Sequence, residues 1–421
     1  MSGTTDYELL KSTIVESLGK KFLISLYGPD NYRAAVITHY AYSRNRKLRN
    51  PAIQYLNEIL KENDEWELPD VFAEEVIQTY FSLDDVPFPK PKRPSFTFID
   101  LFAGIGGFRI AMQSLNGECV FSSEWDEEAQ KTYYANFGEI PFGDITQQRT
   151  KDWIPKQFDV LCAGFPCQAF SIAGKRGGFN DTRGTLFFDV ATIIEKHKPK
   201  AIFLENVKGL VNHDGGKTLS TILNVLREDL KYFVPKPEII NAKYFGVPQN
   251  RERIYIAGFR QDQKVNDFKY PESKEVTKKI TDVFEDKPVS SKYYLSNQYL
   301  NTLIKHRERH ASKGNGFGYE IIPHHGVANA IVVGGMGRER NLVEDNRQKD
   351  LTPVTHIKGE VNTQGIRRLT PLEWKRLQGF PEEFKINAVS DASLYRQFGN
   401  SVAVPAIKAT AEKILEKINL I

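Results

Sequence analysis

The apolar positions of this chain follow two different rhythms. Up to about residue 83 they recur at helical spacing, as in YELLKSTIVESLGKKFLISLYG (7–28) and NPAIQYLNEILKEN (50–63), which predicts amphipathic helices. From residue 96 onward, short apolar runs at 96–100, 119–123, 158–163, 201–205 and 253–257 alternate with helical stretches such as 127–136 and 185–196. Strands that alternate with helices predict an α/β fold, a Rossmann-like core with an open, mostly parallel sheet and right-handed crossovers. From about 261 to 365 the alternation fades into sequence rich in Gly, Asn, Lys, Arg and His, with short β-like runs such as ANAIVVGG. Regular structure returns at LTPLEWKRLQGFP (369–381). There Thr370 is placed to cap a helix, Pro371 to open it, Glu373 to complete a capping box and Gly379 to close it. A last helix is expected at 404–419.

Composition sharpens this division. The segment VPFPKPKRP (86–94) holds four prolines, which block helix and favour extended backbone, so it reads as a linker. The expected organisation is a helical N-terminal domain (1–85), the linker (86–94), an α/β core (95–265), a smaller irregular domain (266–394) and a return to the core (395–421). A chain of 421 residues with 40% hydrophobic content is expected to fold into more than one domain. Its three cysteines, Cys119, Cys162 and Cys167, are too few for a disulfide framework and match no zinc spacing, so a reducing cytoplasm is expected and no metal site. No apolar run approaches the length of a membrane helix. The net charge of +4 permits a nucleic-acid partner without demanding one.

The candidate chemistry begins at FIDLFAGIGGF (98–108), a strand, a glycine turn and a helix start. Gly104, Gly106 and Gly107 allow close backbone approach to a ligand. The dinucleotide pattern asks for glycine or alanine where Arg109 stands, which disfavours NAD. Asp100 beside the turn is unwelcome to a pyrophosphate and suits a ligand with an amino group, such as S-adenosylmethionine. Glu124 falls about 20 residues past the turn, where an acid in this fold class bonds ribose hydroxyls. Trp125 is placed to pack on adenine and Asp144 to accept from its amine. Phe102, Gly104, Ile105 and Gly107 in the turn, and Ile145 beside Asp144, complete this candidate cofactor set.

Five blocks then occur in order: DLFAGIGGF, GFPCQAFS (164–171), ENV (205–207), QNRER (249–253) and QFGNSV (397–402). With them the chain resembles the DNA (cytosine-5) methyltransferases, specifically the bacterial modification enzymes that partner restriction endonucleases. The resemblance covers about 96–405. It implies an S-adenosylmethionine-dependent methyltransferase core, a target-recognition domain between QNRER and the block near Arg367, and double-stranded DNA with a short specific site as substrate. Cytosine C5 is a poor nucleophile until a soft nucleophile adds to C6, and a thiolate suits that role because it must also leave. Cys167 is the candidate. Glu205 would serve cytosine N3, a carboxyl in an apolar pocket being able to hold a proton near neutral pH. The resemblance assigns Arg251 and Arg253 to cytosine O2 and the adjoining backbone, with Gln249 supporting them. Asn400 and Ser401 would return beside the glycine turn and touch the methionine part of the cofactor.

The basic loop SIAGKRGGFNDTRG (171–184), with Lys175, Arg176 and Arg183, reads as a lid over DNA and an extruded base, because the target carbon is inaccessible inside a stacked duplex. In the insert, KHRERHASKGNGFG (305–318) and GGMGRERN (334–341) are the basic elements. Arg338 and Arg340 are the candidates for base or phosphate contacts. The GNGFGY stretch looks like that of enzymes reading short G+C-rich palindromes of the CCGG or CCNGG kind. A monomer is expected, paired in function with a separate restriction endonuclease. Two other readings stay open: a tRNA-directed cytosine-5 methyltransferase, and a DNA-binding regulator acting through the N-terminal helices. That region is slightly acidic and lacks a clear basic recognition helix. A docking or stabilising role is equally open for it.

Overall fold

The computed structural model describes residues 27–64, 67–81, 86–166, 186–314, 316, 318–333, 338–352 and 359–421. Its centre is a sheet built from β1 (Phe96–Leu101), β2 (Gly117–Ser123), β3 (Val160–Gly164), β4 (Ala201–Val207), β5 (Tyr232–Phe233), β6 (Glu238–Asn241) and, after the two-residue β7 (Gln249–Asn250), β8 (Glu252–Arg260). The order is β2-β1-β3-β4-β8-β5, with β6 also paired to β8. All five apolar runs are strands. The first four are parallel neighbours, whereas β8 runs antiparallel to β4, β5 and β6. A short turn at Ala242–Phe245 brings the chain from β6 back toward β8, so these two strands lie antiparallel. β1 and β3 are almost wholly buried, as expected of parallel strands with both faces covered.

Just before Asp144 the chain joins the sheet by a single bridge, Phe142 beside Ser123. Phe142 donates to Ser122 O at 2.8 Å and accepts from Glu124 N at 2.8 Å. Pro141 before it has no N–H to extend the ladder.

Among the described residues, three helices, Tyr32–Ser43, Arg46–Asp64 and Asp70–Tyr80, precede the sheet. The stretch 50–63 is helical as its spacing predicts, while most of 7–28 lies outside the described residues. Val36, Ile37, Leu56 and Ile77 join one continuous apolar cluster with Phe121, Phe142, Ile154 and Phe158 of the sheet layer. Burial of each such side chain contributes about 2 kcal/mol. The proline-rich segment is laid against the core, with Phe88 N bonded to Asn136 O at 3.1 Å and Lys90 N bonded to the Tyr42 hydroxyl.

Beyond the sheet the chain is less irregular than its composition implies. KHRERHA closes a 15-residue helix, Asn297–Ala311, capped by Ser296. Only Leu300 and Leu303 of that helix are buried, so its apolar periodicity is faint. Short strands β9 (Ala328–Asn329), β10 (Leu342–Glu344) and β11 (Ile366–Arg368) follow it, and Leu342 and Ile366 join its apolar cluster. This region is tied by a buried ion network: Arg367 reaches Glu373 at 2.7 and 2.8 Å and Asp345 at 2.9 Å. The helix Pro371–Leu377 has the capping box its sequence predicts, and Gly379 follows with φ +70°. The chain ends in the helix Val404–Lys417.

Candidate active site and cofactor pocket

The parallel register decides what meets at the strand ends. Leu101 lies beside Ser123 and Ala163, and Gly164 beside Glu205. The residues just past β1, β2, β3 and β4 are therefore gathered along one edge, the place where open α/β sheets bind ligands.

At the cofactor end the chain leaves β1 through Phe102 at φ +58°, Gly104 at +55° and Gly106 at +88°, and enters the helix Gly107–Gln113. Glu124 holds this turn in place. One of its carboxylate oxygens accepts from Gly104 N at 2.8 Å, and the other from Trp125 N and Asp126 N at 2.9 and 2.8 Å. Burial pushes the Glu124 carboxyl upward, against the pull of these donors. The oxygen bonded to Gly104 alone keeps accepting capacity for a ligand hydroxyl. Trp125 stands beside it with 67% of its surface open, Ile105 and Ile145 are buried, and Asp144 is half-buried. Asp100 is completely buried, and neither carboxyl oxygen has a partner. Burial raises its pKa to about 8, opposed by the Arg109 guanidinium. An orphaned buried carboxyl beside a glycine turn fits a ligand ammonium. The QFGNSV block does come back to this turn: a side chain added at Gly107 would meet Val402 at 2.7 Å and Ser401 Oγ at 3.2 Å. Ser401 is half-buried there and Asn400 is exposed.

At the other end, Cys167 lies outside the described residues, as do Lys175, Arg176 and Arg183. The approach to Cys167 is defined as far as Phe165 and Pro166. Asn206 donates to Phe165 O at 2.8 Å and accepts from Val207 N at 2.8 Å, so the end of β4 holds the segment that leads into the thiol. Glu205, 7% exposed, lies 3.2 Å from Arg253 Nε. Burial raises its carboxyl above the ordinary range, and Arg253 and Arg251 oppose the shift.

Arg251 and Gln249 point inward. Arg251 donates to Ile331 O at 2.8 Å, Gly399 O at 3.2 Å and Ser401 O, and desolvation lowers its pKa to about 9. Gln249 is fully buried. It donates to Leu377 O at 2.9 Å and accepts from Ile331 N at 3.0 Å. These two residues thereby knit β7, the small region and the QFGNSV block together. Arg338 is exposed with its guanidinium 5.1 Å over the Tyr395 ring, and Arg340 is exposed in the short turn that Arg338 opens.

The buried partners of Arg109 were invisible as a site in the sequence. Arg109 lies 2.7 Å from Glu139, 3.0 Å from the Tyr133 hydroxyl and 4.5 Å above the Phe137 ring. Its one sequence signal was a large cation where the glycine pattern wants a small residue. Cys119 and Cys162 are buried in strands with thiols pushed upward by desolvation, as expected of core residues. Among the described residues no cluster of His, Cys, Asp and Glu could hold a metal ion.

A glycine turn whose backbone is held by Glu124, a buried acid in the strand before it and a separate Glu–Arg pair lie along the ligand-binding edge of an α/β sheet. The profile of the C-5 cytosine-specific DNA methylase family matches residues 96–416. The Type II methyltransferase M.HpaII of Haemophilus parainfluenzae is 72% identical over 326 residues, which cover 77% of this chain and 91% of that protein. The Type II methyltransferase M.HhaI of Haemophilus parahaemolyticus is 39% identical, with 76% of this chain and 95% of that protein covered. Among solved structures, the Dnmt2 methyltransferase of S. pombe shares the fold with a TM-score of 0.58 at 20% identity, over 77% of this chain and 99% of that one. The chain belongs to the C-5 cytosine-specific DNA methylase family: it is a DNA cytosine-5 methyltransferase of the restriction–modification type, and S-adenosylmethionine is its cofactor.

Proposed function

We propose that Cys167 is the nucleophile and that Glu205 and Arg253 receive the cytosine. In this reading the Cys167 thiolate forms a bond to C6 while Glu205 holds a proton at N3. Electron density then moves to C5, which takes a methyl group. A base, for which water suffices, next removes the C5 proton, the C6–S bond breaks, and the thiolate is restored. S-adenosylmethionine supplies the methyl as an electrophilic sulfonium. The observation that carries this reading is the end of β4, where one residue, Glu205, pairs with Arg253 and the next, Asn206, anchors the segment entering Cys167. A carboxyl whose pKa burial raises, set beside an arginine, is suited to serve a ring nitrogen and then an anionic enamine. Arg253 would contact O2 and the adjoining backbone, while Arg251 and Gln249, committed to backbone inside the protein, would hold the frame.

The adenosine part of the cofactor would lie along Phe102, Gly104, Ile105 and Gly107, with Glu124 on the ribose, Trp125 on the adenine face, and Asp144 and Ile145 at its edge. Asp100, Asn400 and Ser401 would face the methionine part. Lys175, Arg176 and Arg183 would close over duplex DNA and the extruded base, and Arg338 and Arg340 would contact bases or phosphates. The target is a short G+C-rich palindrome of the CCGG or CCNGG kind. The enzyme would act as a cytoplasmic monomer, its methylation protecting host DNA from a cognate endonuclease. No helix among the described residues is long and apolar enough to cross a membrane. Bisulfite sequencing of DNA from a methylation-free host expressing the chain tests the assignment. Protection of one cytosine in every copy of one such palindrome is expected, and scattered or absent protection would overturn the site.

A further inference from the structure

Residues 27–31 lie outside the stretch matched by the family profile, which begins at residue 96. They nevertheless bond directly to the two segments that carry Glu124 and Asp144. Gly28 N donates to Gln130 Oε1 at 2.7 Å, and Gln130 Nε2 donates back to Gly28 O at 3.0 Å. The same Nε2 also donates to the Glu124 carbonyl. On the other side, Asp144 N donates to Pro29 O at 3.0 Å, and Asn31 Nδ2 to Pro141 O at 3.1 Å. Gly143 sits between these contacts, and a Cβ there would overlap the Pro29 carbonyl. Glycine is thus required by the close approach of two backbones.

The strap is fixed at its far end by independent contacts. Asp30 pairs with Arg149, whose guanidinium lies 5.6 Å over the Tyr32 ring. Thr38 Oγ1 accepts from Ile140 N at 3.1 Å, and the His39 ring packs 4.8 Å from Phe142. Beyond these, the helices Tyr32–Ser43, Arg46–Asp64 and Asp70–Tyr80 bury their apolar faces in the cluster shared with the sheet. Loops past the ends of an open sheet otherwise have few partners to fix them.

We propose that residues 27–31 are a working part of the cofactor site, a strap that holds the Glu124 and Asp144 segments in register and so sets affinity for S-adenosylmethionine. This rests on the reading that Glu124 and Asp144 bind the adenosine part. The strap touches no cofactor atom in this account. Gln130, Asn31 and Gly143 are positioning residues that act through the backbone of the acids' own segments.

The test is calorimetric titration of the full chain with S-adenosylmethionine, together with separate KM values for cofactor and DNA. Gly143→Ala pushes the strap away and should weaken cofactor binding ~10-fold, equivalent to about 1.4 kcal/mol. Asn31→Ala, a milder change in case the first variant folds poorly, should weaken it roughly threefold. In both, the KM for cofactor should rise far more than the KM for DNA. Val76→Ala, in the buried face of the helix Asp70–Tyr80, should lower the melting temperature and leave cofactor affinity unchanged. Glu124→Gln is the reference for the underlying reading. If it weakens binding while Gly143→Ala and Asn31→Ala bind as wild type does, the strap is refuted and the pocket assignment stands. If Glu124→Gln itself binds normally, the pocket assignment fails. If Val76→Ala weakens cofactor binding as much as Asn31→Ala, the effect is general loosening and the strap has no specific role.

Discussion

Replacing Asp100 with Asn removes a charge that the fold holds at a disadvantage. The side chain is wholly buried, both oxygens are unpartnered, and its pKa is raised from 3.8 to about 8. A carboxyl whose folded pKa exceeds its unfolded value costs nothing in acid, where both states are protonated. It destabilises the fold progressively as pH rises from the unfolded toward the folded value, because the unfolded state alone has lost its proton. Each unit is worth about 1.4 kcal/mol, so roughly 4 kcal/mol accumulates between about pH 5 and about pH 8. Asn has nearly the same shape and does not titrate. Urea unfolding of cofactor-free wild type and Asp100→Asn across that range should show the variant's relative stability growing with pH by a large part of this amount. The proposed ammonium partner adds a second expectation. Cofactor binding would favour the ionised carboxyl, so it should release a proton near neutral pH, seen as a buffer-dependent heat. Asp100→Asn should abolish that release and bind cofactor ~10-fold more weakly. A stability difference that does not change with pH would refute the buried, protonated Asp100. Unchanged cofactor affinity would refute its role as ammonium partner.

Glu205→Gln should lower kcat by ~100-fold or more, the usual scale of a lost proton-transfer group, with S-adenosylmethionine affinity intact by titration. A large loss of cofactor affinity would put Glu205 in the wrong pocket. Arg367→Met should destabilise the protein by about 3 kcal/mol in urea, because it strips the guanidinium from the buried carboxylates Glu373 and Asp345. Arg338→Ala should reduce discrimination between the target and single-base variants if the side chain reads a base. If it holds a phosphate, all DNA weakens together and the salt dependence flattens.

How much of this was legible depended on how local each feature is. The strands, the glycine turn and the capping box at Thr370–Glu373 are written within a few residues, and the structure has them. The ordered blocks likewise pointed to the family. The direction of β8 was not legible, because 253–257 reads as an apolar run whichever way it pairs. The helix Asn297–Ala311 escaped because its apolar face is confined to its first half, at Leu300, Leu303 and Ile304. The resemblance assigns Arg251 to the cytosine, with Gln249 in support. Their inward direction depends on Ile331, Leu377, Gly399 and Ser401, all distant in sequence. The strap is the clearest such case: nothing in GPDN (28–31) announces that it will meet Gly143 and Gln130.

The central claim is that Cys167 bonds to cytosine C6 during methyl transfer. Duplex DNA carrying 5-fluorocytosine at the methylated position tests it directly, because fluorine replaces the proton that must leave and the adduct cannot resolve. Incubation with this DNA and S-adenosylmethionine, followed by proteolysis and mass spectrometry, should find the DNA joined to the peptide containing Cys167, with no adduct from Cys167→Ser. Attachment at another residue, or methyl transfer to ordinary DNA by Cys167→Ser at the wild-type rate, would contradict the account.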